Sequence, residues 1–334
     1  STTKKLMLPQ KFNDQKFLHK HTVVRHFSKR LFYTPYPHTE NIKQWQISKV
    51  YRIFRYDAFD DIFFEYIYLK KKFERDIKVI QMNSNIIPIF FACDNGFVKY
   101  TMVSLKSLMM NADRDRQYNI HILNTGIDDD KKQVVLDMAD DVFHIYFNDV
   151  TEYLKELEKR LPLRDYYSYT TYYRLFLAEM FPEYEKALYI DSDTVVLGDI
   201  SELFDYDIGD NYVGASCDPV VSQADIFGNY AEQVLDIDRN HYFNAGVLVL
   251  NINQFREQDI LGQFVELLHA YTFVVAQDQD YLNIICKNHV YWIDPKWNSE
   301  TFGKLACDEE DICLIHYNLA AKPWHYEDCK LAKY

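Results

Sequence analysis

Two aspartates, Asp191 and Asp193, stand directly after the apolar run Ala187-Leu188-Tyr189-Ile190. If the chain stays extended there, side chains two apart point the same way, so both carboxylates face one spot beyond the strand end. Hard divalent cations take oxygen ligands of this kind, and Mg²⁺ or Mn²⁺ completes its shell with substrate phosphates. The spacing alone says little, because Asp-x-Asp recurs at Asp113/Asp115, Asp128/Asp130, Asp205/Asp207, Asp236/Asp238 and Asp278/Asp280. Those triplets read as solvated loops or helix caps. Asp191 and Asp193 differ in ending a buried strand. A further candidate ligand, His316, sits in the apolar strand Leu314-Ile315-His316-Tyr317, with Lys322 six residues on. An imidazole on a metal followed by an ammonium on a phosphate is the chemistry that pattern offers, against a histidine merely packed in a core.

The elements that must position these groups are legible from residue 86 onward. The apolar run Ile86–Ala92 reads as a buried parallel strand, and a helical pattern follows it through Met110. Strands are expected at Tyr118–Leu123, Val142–Phe147 and Ala187–Ile190, and helices at Asp128–Met138, Thr151–Arg160 and Thr171–Met180. This alternation predicts a doubly wound α/β sheet, with ligands bound outside the carboxyl ends of its strands. Beyond Asp193 the alternation breaks down, with strands expected at Tyr212–Ala215, Phe243–Leu250 and Cys313–Tyr317.

Residues 1–82 differ in character. Ile42–Ile53 and Phe59–Phe73 read as helices, and the segment carries 17 Lys+Arg against 8 Asp+Glu, a net of +9. The whole chain of 334 residues has a formal net charge of −13, so residues 83–334 carry −22. A basic helical extension joined to an acidic domain argues for two functional parts. Nucleic acid is a poor partner for so acidic a domain. The longest apolar runs are about eight residues, well short of a spanning helix at roughly 20. Six cysteines with no CxxC pair, and no Asn-x-Ser/Thr sequon, fit a cytoplasmic protein with reduced thiols. Cys307, Cys313 and Cys329 are near enough in sequence to leave a late disulfide or zinc site open.

Six segments carry a resemblance in common order: Phe91-Ala92-Cys93-Asp94, Tyr172-Tyr173-Arg174-Leu175, Leu188-Tyr189-Ile190-Asp191-Ser192-Asp193, Phe243-Asn244-Ala245-Gly246-Val247, Gln277-Asp278-Gln279-Asp280-Tyr281-Leu282-Asn283, and His316-Tyr317 followed by Lys322-Pro323-Trp324. The chain from about Ile86 to Trp324 resembles glycosyltransferase family 8, which includes bacterial lipopolysaccharide galactosyl- and glucosyltransferases and glycogenin. That resemblance implies a GT-A fold and a retaining hexosyltransferase that takes UDP-galactose or UDP-glucose. Asp191, Asp193 and His316 would hold Mn²⁺, with Mg²⁺ as the substitute. Asp94, Asn95 and Phe97 would meet the nucleoside. Arg174, Asp191, Ser192, Asn244, Ala245, Asp278 and Lys322 would bind the diphosphate and sugar.

The resemblance also places Gln279 beside the anomeric carbon, where its amide is a poor nucleophile. Front-face attack with Gln279 stabilising positive charge is therefore expected, and Asp278 as nucleophile is the lesser alternative. Two positions depart from the family's pattern: Gly96 replaces an expected Asn, and Leu319 an expected Gly. The acceptor would be a glycan, glycolipid or glycoprotein; the basic extension, outside the matching segment, is expected to dock the catalytic domain on the inner face of a membrane or on the acceptor, against the alternative of a solvated helical cap. Three other readings compete. Self-glycosylation in the manner of glycogenin is one, and a non-catalytic carbohydrate-binding protein another. The third, a nucleotidyltransferase, is opposed by the lack of a Gly-rich phosphate loop.

Overall fold

The computed structural model describes residues 85–158 and 169–334, apart from 272, 274, 306 and 321. The helical reading of 1–82, and the boundary after it, lie outside the described residues.

Seven strands form the main sheet: β1 (Ile86–Ala92), β2 (Gln117–Asn124), β3 (Phe143–Asp149), β4 (Lys186–Ile190), β6 (Val213–Ala215), β7 (Val247–Asn251) and β8 (Val290–Trp292). Their spatial order is β3-β2-β1-β4-β7-β6-β8. The first four run parallel, β7 is antiparallel to both β4 and β6, and β8 is parallel to β6. A second sheet of three short strands has β10 (Leu314–His316) between β5 (Thr194–Val196) and β9 (Ser299–Glu300).

Side-chain alternation divides the main sheet between two cores, as an α/β sheet covered on both faces requires. Phe90, Ala187, Tyr189, Leu248 and Leu250 face one core, which the helices Ile260–Ala270 and Asp278–Ile285 cover. Ile89, Phe91, Leu188, Ile190, Val247 and Val249 face the other, under the helices Val98–Asn111 and Ile200–Phe204. The expected doubly wound mixed sheet with flanking helices is the observed architecture.

Two expected elements differ. Thr171–Met180 is not one helix but a 3₁₀ turn, Tyr169–Leu175, followed by the short helix Leu177–Met180. Arg174 turns back there so that its Nε donates to the Thr171 carbonyl (2.9 Å), a bond suited to a tight turn. The strand expected over Phe243–Leu250 begins only at Val247. Ahead of it Phe243 makes a single bridge to Cys217. Asn244 Oδ1 accepts the Gly246 amide (2.9 Å), closing a local turn that removes that donor from any ladder. No helix among the described residues is long and apolar enough to cross a membrane.

Candidate functional site

The carboxyl ends of β1 and β4 meet the start of β7, and each end carries polar residues. At the end of β1, Asp94 Oδ1 accepts the amides of Gly96 (2.8 Å) and Phe97 (2.9 Å), a turn that starts the helix Val98–Asn111. The Asn95 side chain is committed to the neighbouring loop: Nδ2 donates to Asp128 Oδ2 (2.8 Å) and Oδ1 accepts the Asp128 amide (3.1 Å). Phe97 is exposed, and its ring lies edge-on to Tyr100 at 5.3 Å. Trp324 stacks on Tyr100 at 3.8 Å, so the segment carrying Lys322 returns to the end of β1.

Alternation after β4 places three residues as expected. Ser192 turns inward, donating to the Ala92 carbonyl (2.9 Å) and accepting from Thr101 Oγ1 (2.9 Å), which fastens the end of β4 to that of β1. Asp191 and Asp193 turn the other way and gather with His316 from β10. From His316 Nε2 to Asp193 Oδ1 is 3.4 Å, and to Asp191 Oδ2 3.8 Å. Among the described residues this is the one group of three such side chains able to hold a metal ion. All six cysteines are unpaired, and among the described residues Cys307, Cys313 and Cys329 belong to no group of three possible metal ligands.

Three observations test whether a divalent metal fits. The ring of His316 is oriented by Asn298: its Nδ1 faces Asn298 Oδ1 at 3.0 Å, while Asn298 Nδ2 donates to Asn244 Oδ1 (3.0 Å). Nδ1 therefore donates to Asn298, which leaves Nε2, facing the carboxylates, as the nitrogen that would take a metal. A Cβ on Gly246 would lie 2.3 Å from His316 Cε1 and 2.7 Å from Asp191 Oδ2, so only glycine leaves room for the group. The carboxylates are also electrostatically unlike. Burial and the Asp193 charge raise Asp191 against the pull of Arg174. Burial opposes ionisation of Asp193 too, but His316 and Lys322 hold it well below the usual carboxylate range. The Lys322 ammonium contacts the Asp193 carboxylate and the Tyr317 carbonyl. Oxygen, oxygen and imidazole ligands at a strand end suit Mn²⁺ or Mg²⁺.

Beside this group opens a cavity of about 300 Å³, lined by Thr171, Arg174, Asp191, the turn Asn244–Gly246 and the segment Val275–Gln279. Arg174 is 4% exposed and lies with its guanidinium 4.4 Å from the Tyr189 ring centre. It donates to the Ala245 carbonyl and pairs with Asp278, Nε to Oδ2, at 3.0 Å. Asp278 opens the helix Asp278–Ile285 after Gln277, whose φ of +47° turns the chain sharply. Burial outweighs Arg174 and pushes the Asp278 carboxyl up to about 6. Gln279 is held at both ends of its amide: Oε1 accepts the Ala245 amide (2.8 Å), and Nε2 donates to Asp218 Oδ2 (3.0 Å).

Sequence reasoning missed Asp218 and Asn298. Asp218 Oδ1 caps the helix Pro219–Gln223, while Oδ2 takes both Gln279 and, at 3.3 Å, Asn244 Nδ2. A buried chain of hydrogen bonds thus runs His316–Asn298–Asn244–Asp218–Gln279. The Asp218-Pro219 signature announces a helix start but not the work of the second oxygen. A single amide such as Asn298 carries no signal at all.

The sequence profile of glycosyl transferase family 8 matches residues 88–328. The chain is 25% identical over 254 residues to the lipopolysaccharide 1,3-galactosyltransferase of Salmonella typhimurium, covering 71% of this chain and 72% of that one. Against the lipopolysaccharide 1,2-glucosyltransferase of Escherichia coli it is 25% identical over 258 residues, covering 71% and 73%. Among solved structures, the galactosyltransferase LgtC in complex with donor and acceptor sugar analogues superposes with a TM-score of 0.60 at 28% identity, covering 73% of this chain and 91% of LgtC. With its GT-A architecture and the Asp191, Asp193 and His316 group at the strand ends, the chain belongs to glycosyltransferase family 8.

Proposed function

We propose that the protein is a metal-dependent retaining hexosyltransferase that moves galactose or glucose from a UDP-sugar to a glycan, glycolipid or glycoprotein acceptor. The observation carrying this reading is the Asp191/Asp193/His316 group at the edge of a cavity that holds Arg174, Asp278 and Gln279. Asp191, Asp193 and His316 would hold Mn²⁺ or Mg²⁺, which when bound supplies Lewis-acid neutralisation of the diphosphate leaving group.

The chain's own residues do the rest. Lys322 moves from Asp193 to the phosphate charge, and Arg174 adds a second fixed cation at the cavity wall. Asp278 accepts hydroxyls of the donor hexose: its Oδ2 is buried without a hydrogen-bond partner, although paired in charge with Arg174. Phe97, on the exposed rim with Tyr100 and Trp324, offers a ring to the uracil, and Asp94 a carboxylate oxygen beside it. Glycosidases that retain configuration place a carboxylate nucleophile opposite the leaving group. Gln279 replaces it here, and its amide is held by Ala245 and Asp218, so front-face attack with the departing phosphate taking the acceptor's proton is the favoured course.

A hydrolysis screen of UDP-galactose, UDP-glucose and other UDP-sugars with Mn²⁺ tests the reading. We expect UDP release from a UDP-hexose that stops on addition of EDTA. Undiminished release in EDTA, or no release from any donor, would overturn it.

A further inference from the structure

A side-chain amide has a donor end and an acceptor end, so it stands either way round until a partner of fixed character settles it. Two backbone amides do this beside the metal group. The Gly246 N–H donates to Asn244 (2.9 Å), so the atom it meets is Oδ1. The Ala245 N–H donates to Gln279 (2.8 Å), so that atom is Oε1. Every other orientation in the row follows. Asn244 Oδ1 also lies 3.0 Å from Asn298, which must turn Nδ2 to it and so presents Oδ1 to His316 Nδ1, again at 3.0 Å. Facing an oxygen, that ring nitrogen must donate, and the hydrogen bond at one nitrogen decides the state of the other. Nε2 is thereby reserved for the side of Asp193, 3.4 Å away. At the far end, Asn244 Nδ2 (3.3 Å) and Gln279 Nε2 (3.0 Å) both donate to Asp218 Oδ2.

Asn298 is where the two halves of the site meet. It ends the 3₁₀ turn Pro295–Trp297, whose Trp297 is fully buried, and it precedes β9, the strand paired with β10. Its own side chain is 2% exposed, and both ends of its amide are committed. Asn244 lines the cavity, and its Nδ2 keeps a second hydrogen after Asp218 has taken the first.

We infer that Asn298 is a positioning residue with two separable roles: its oxygen holds His316 in the form that takes the metal, and its nitrogen holds Asn244 toward the donor hexose. Metal and sugar are thus gripped through one side chain that touches neither. This assignment rests on the metal-dependent transfer reading above.

The test starts with the wild type, as the full chain labelled with ¹⁵N-histidine and free of metal. The His316 signals are assigned by their loss in His316→Gln. At a pH where free imidazole is neutral, we expect the His316 proton on Nδ1. A proton on Nε2 would overturn the inference with no variant at Asn298 needed. Two variants then separate the ends, read by Mn²⁺ affinity in the presence of UDP and by the UDP-hexose KM at saturating Mn²⁺. Asn298→Ala removes both ends and should weaken Mn²⁺ binding by about tenfold or more. Asn298→Asp keeps an acceptor for His316 but sets an oxygen against Asn244 Oδ1. Its Mn²⁺ affinity should return close to that of the wild type, while its UDP-hexose KM stays raised by about tenfold, the loss of one hydrogen bond. Recovery of both quantities in Asn298→Asp, or of neither, would overturn the inference. So would wild-type values of both in Asn298→Ala. A wild type that takes up no Mn²⁺ with UDP instead sinks the transfer reading on which the inference stands.

Discussion

At Gly246 the backbone passes so close to Asp191 and His316 that one added methyl has nowhere to go. Gly246→Ala should therefore keep the fold and lose metal affinity, by tenfold or more as for other changes that misplace a ligand. Circular dichroism with a Mn²⁺ titration checks this, and wild-type affinity in the variant would contradict it. Gln279 is the second informative residue. If it only stabilises charge, Gln279→Ala should slow transfer by roughly 10²–10³, the loss of one positioned polar contact. A covalent hexose trapped on Asp278 in that variant, seen by mass spectrometry, would show double displacement instead. That Asp191 and Asp193 face one point was legible in sequence because a period of two at a strand end fixes where side chains point, whereas His316 was joined to them by the family resemblance. Asp218 and Asn298 were not, because their partners at Gln279 and His316 lie far along the chain.

The four parallel strands were readable as elements because β1 and β4 are largely continuous apolar runs, while in β2 and β3 polar residues alternate with apolar ones. β5, β8 and β9 went unread because two or three residues show no period, and their pairing depends on partners distant in sequence. The expected Gly at position 319 is a leucine, yet the backbone keeps the left-handed conformation that a glycine favours. Leu319→Gly should stabilise the domain by roughly 0.5–1 kcal/mol, the relief of left-handed strain less the added chain entropy. A melting temperature unchanged or lowered in the variant would show that no strain is stored there. On β2, His121 stacks on Phe90 and bonds Asn148 and Tyr184. Burial lowers it from 6.5 to about 4. Between those values the unfolded chain binds a proton that the native one refuses, so stability is full above pH 6.5 and falls as pH drops to about 4. The loss amounts to about 3 kcal/mol. Denaturant melts of wild type and His121→Phe across this window should show a shallower acid slope in the variant. Parallel slopes would remove His121 as the cause.

Across the whole sequence, charge divides sharply, with +9 on residues 1–82 and −22 on the remainder. Each Lys or Arg near an anionic membrane contributes roughly 1 kcal/mol of attraction, so we expect the full chain to sediment with anionic vesicles at low salt. A chain starting at Asn83 should not, and equal sedimentation of the two would end the docking proposal. At the centre of the molecule, we propose, Asp191, Asp193 and His316 hold the divalent metal of a UDP-hexose transferase. Electron paramagnetic resonance of free Mn²⁺ in the presence of UDP measures it most directly. For the wild type we predict saturable uptake of a single Mn²⁺ per chain, and for Asp193→Ala an affinity weaker by about 100-fold or more, since a charged ligand itself is lost. Equal Mn²⁺ uptake by the two proteins would contradict the account.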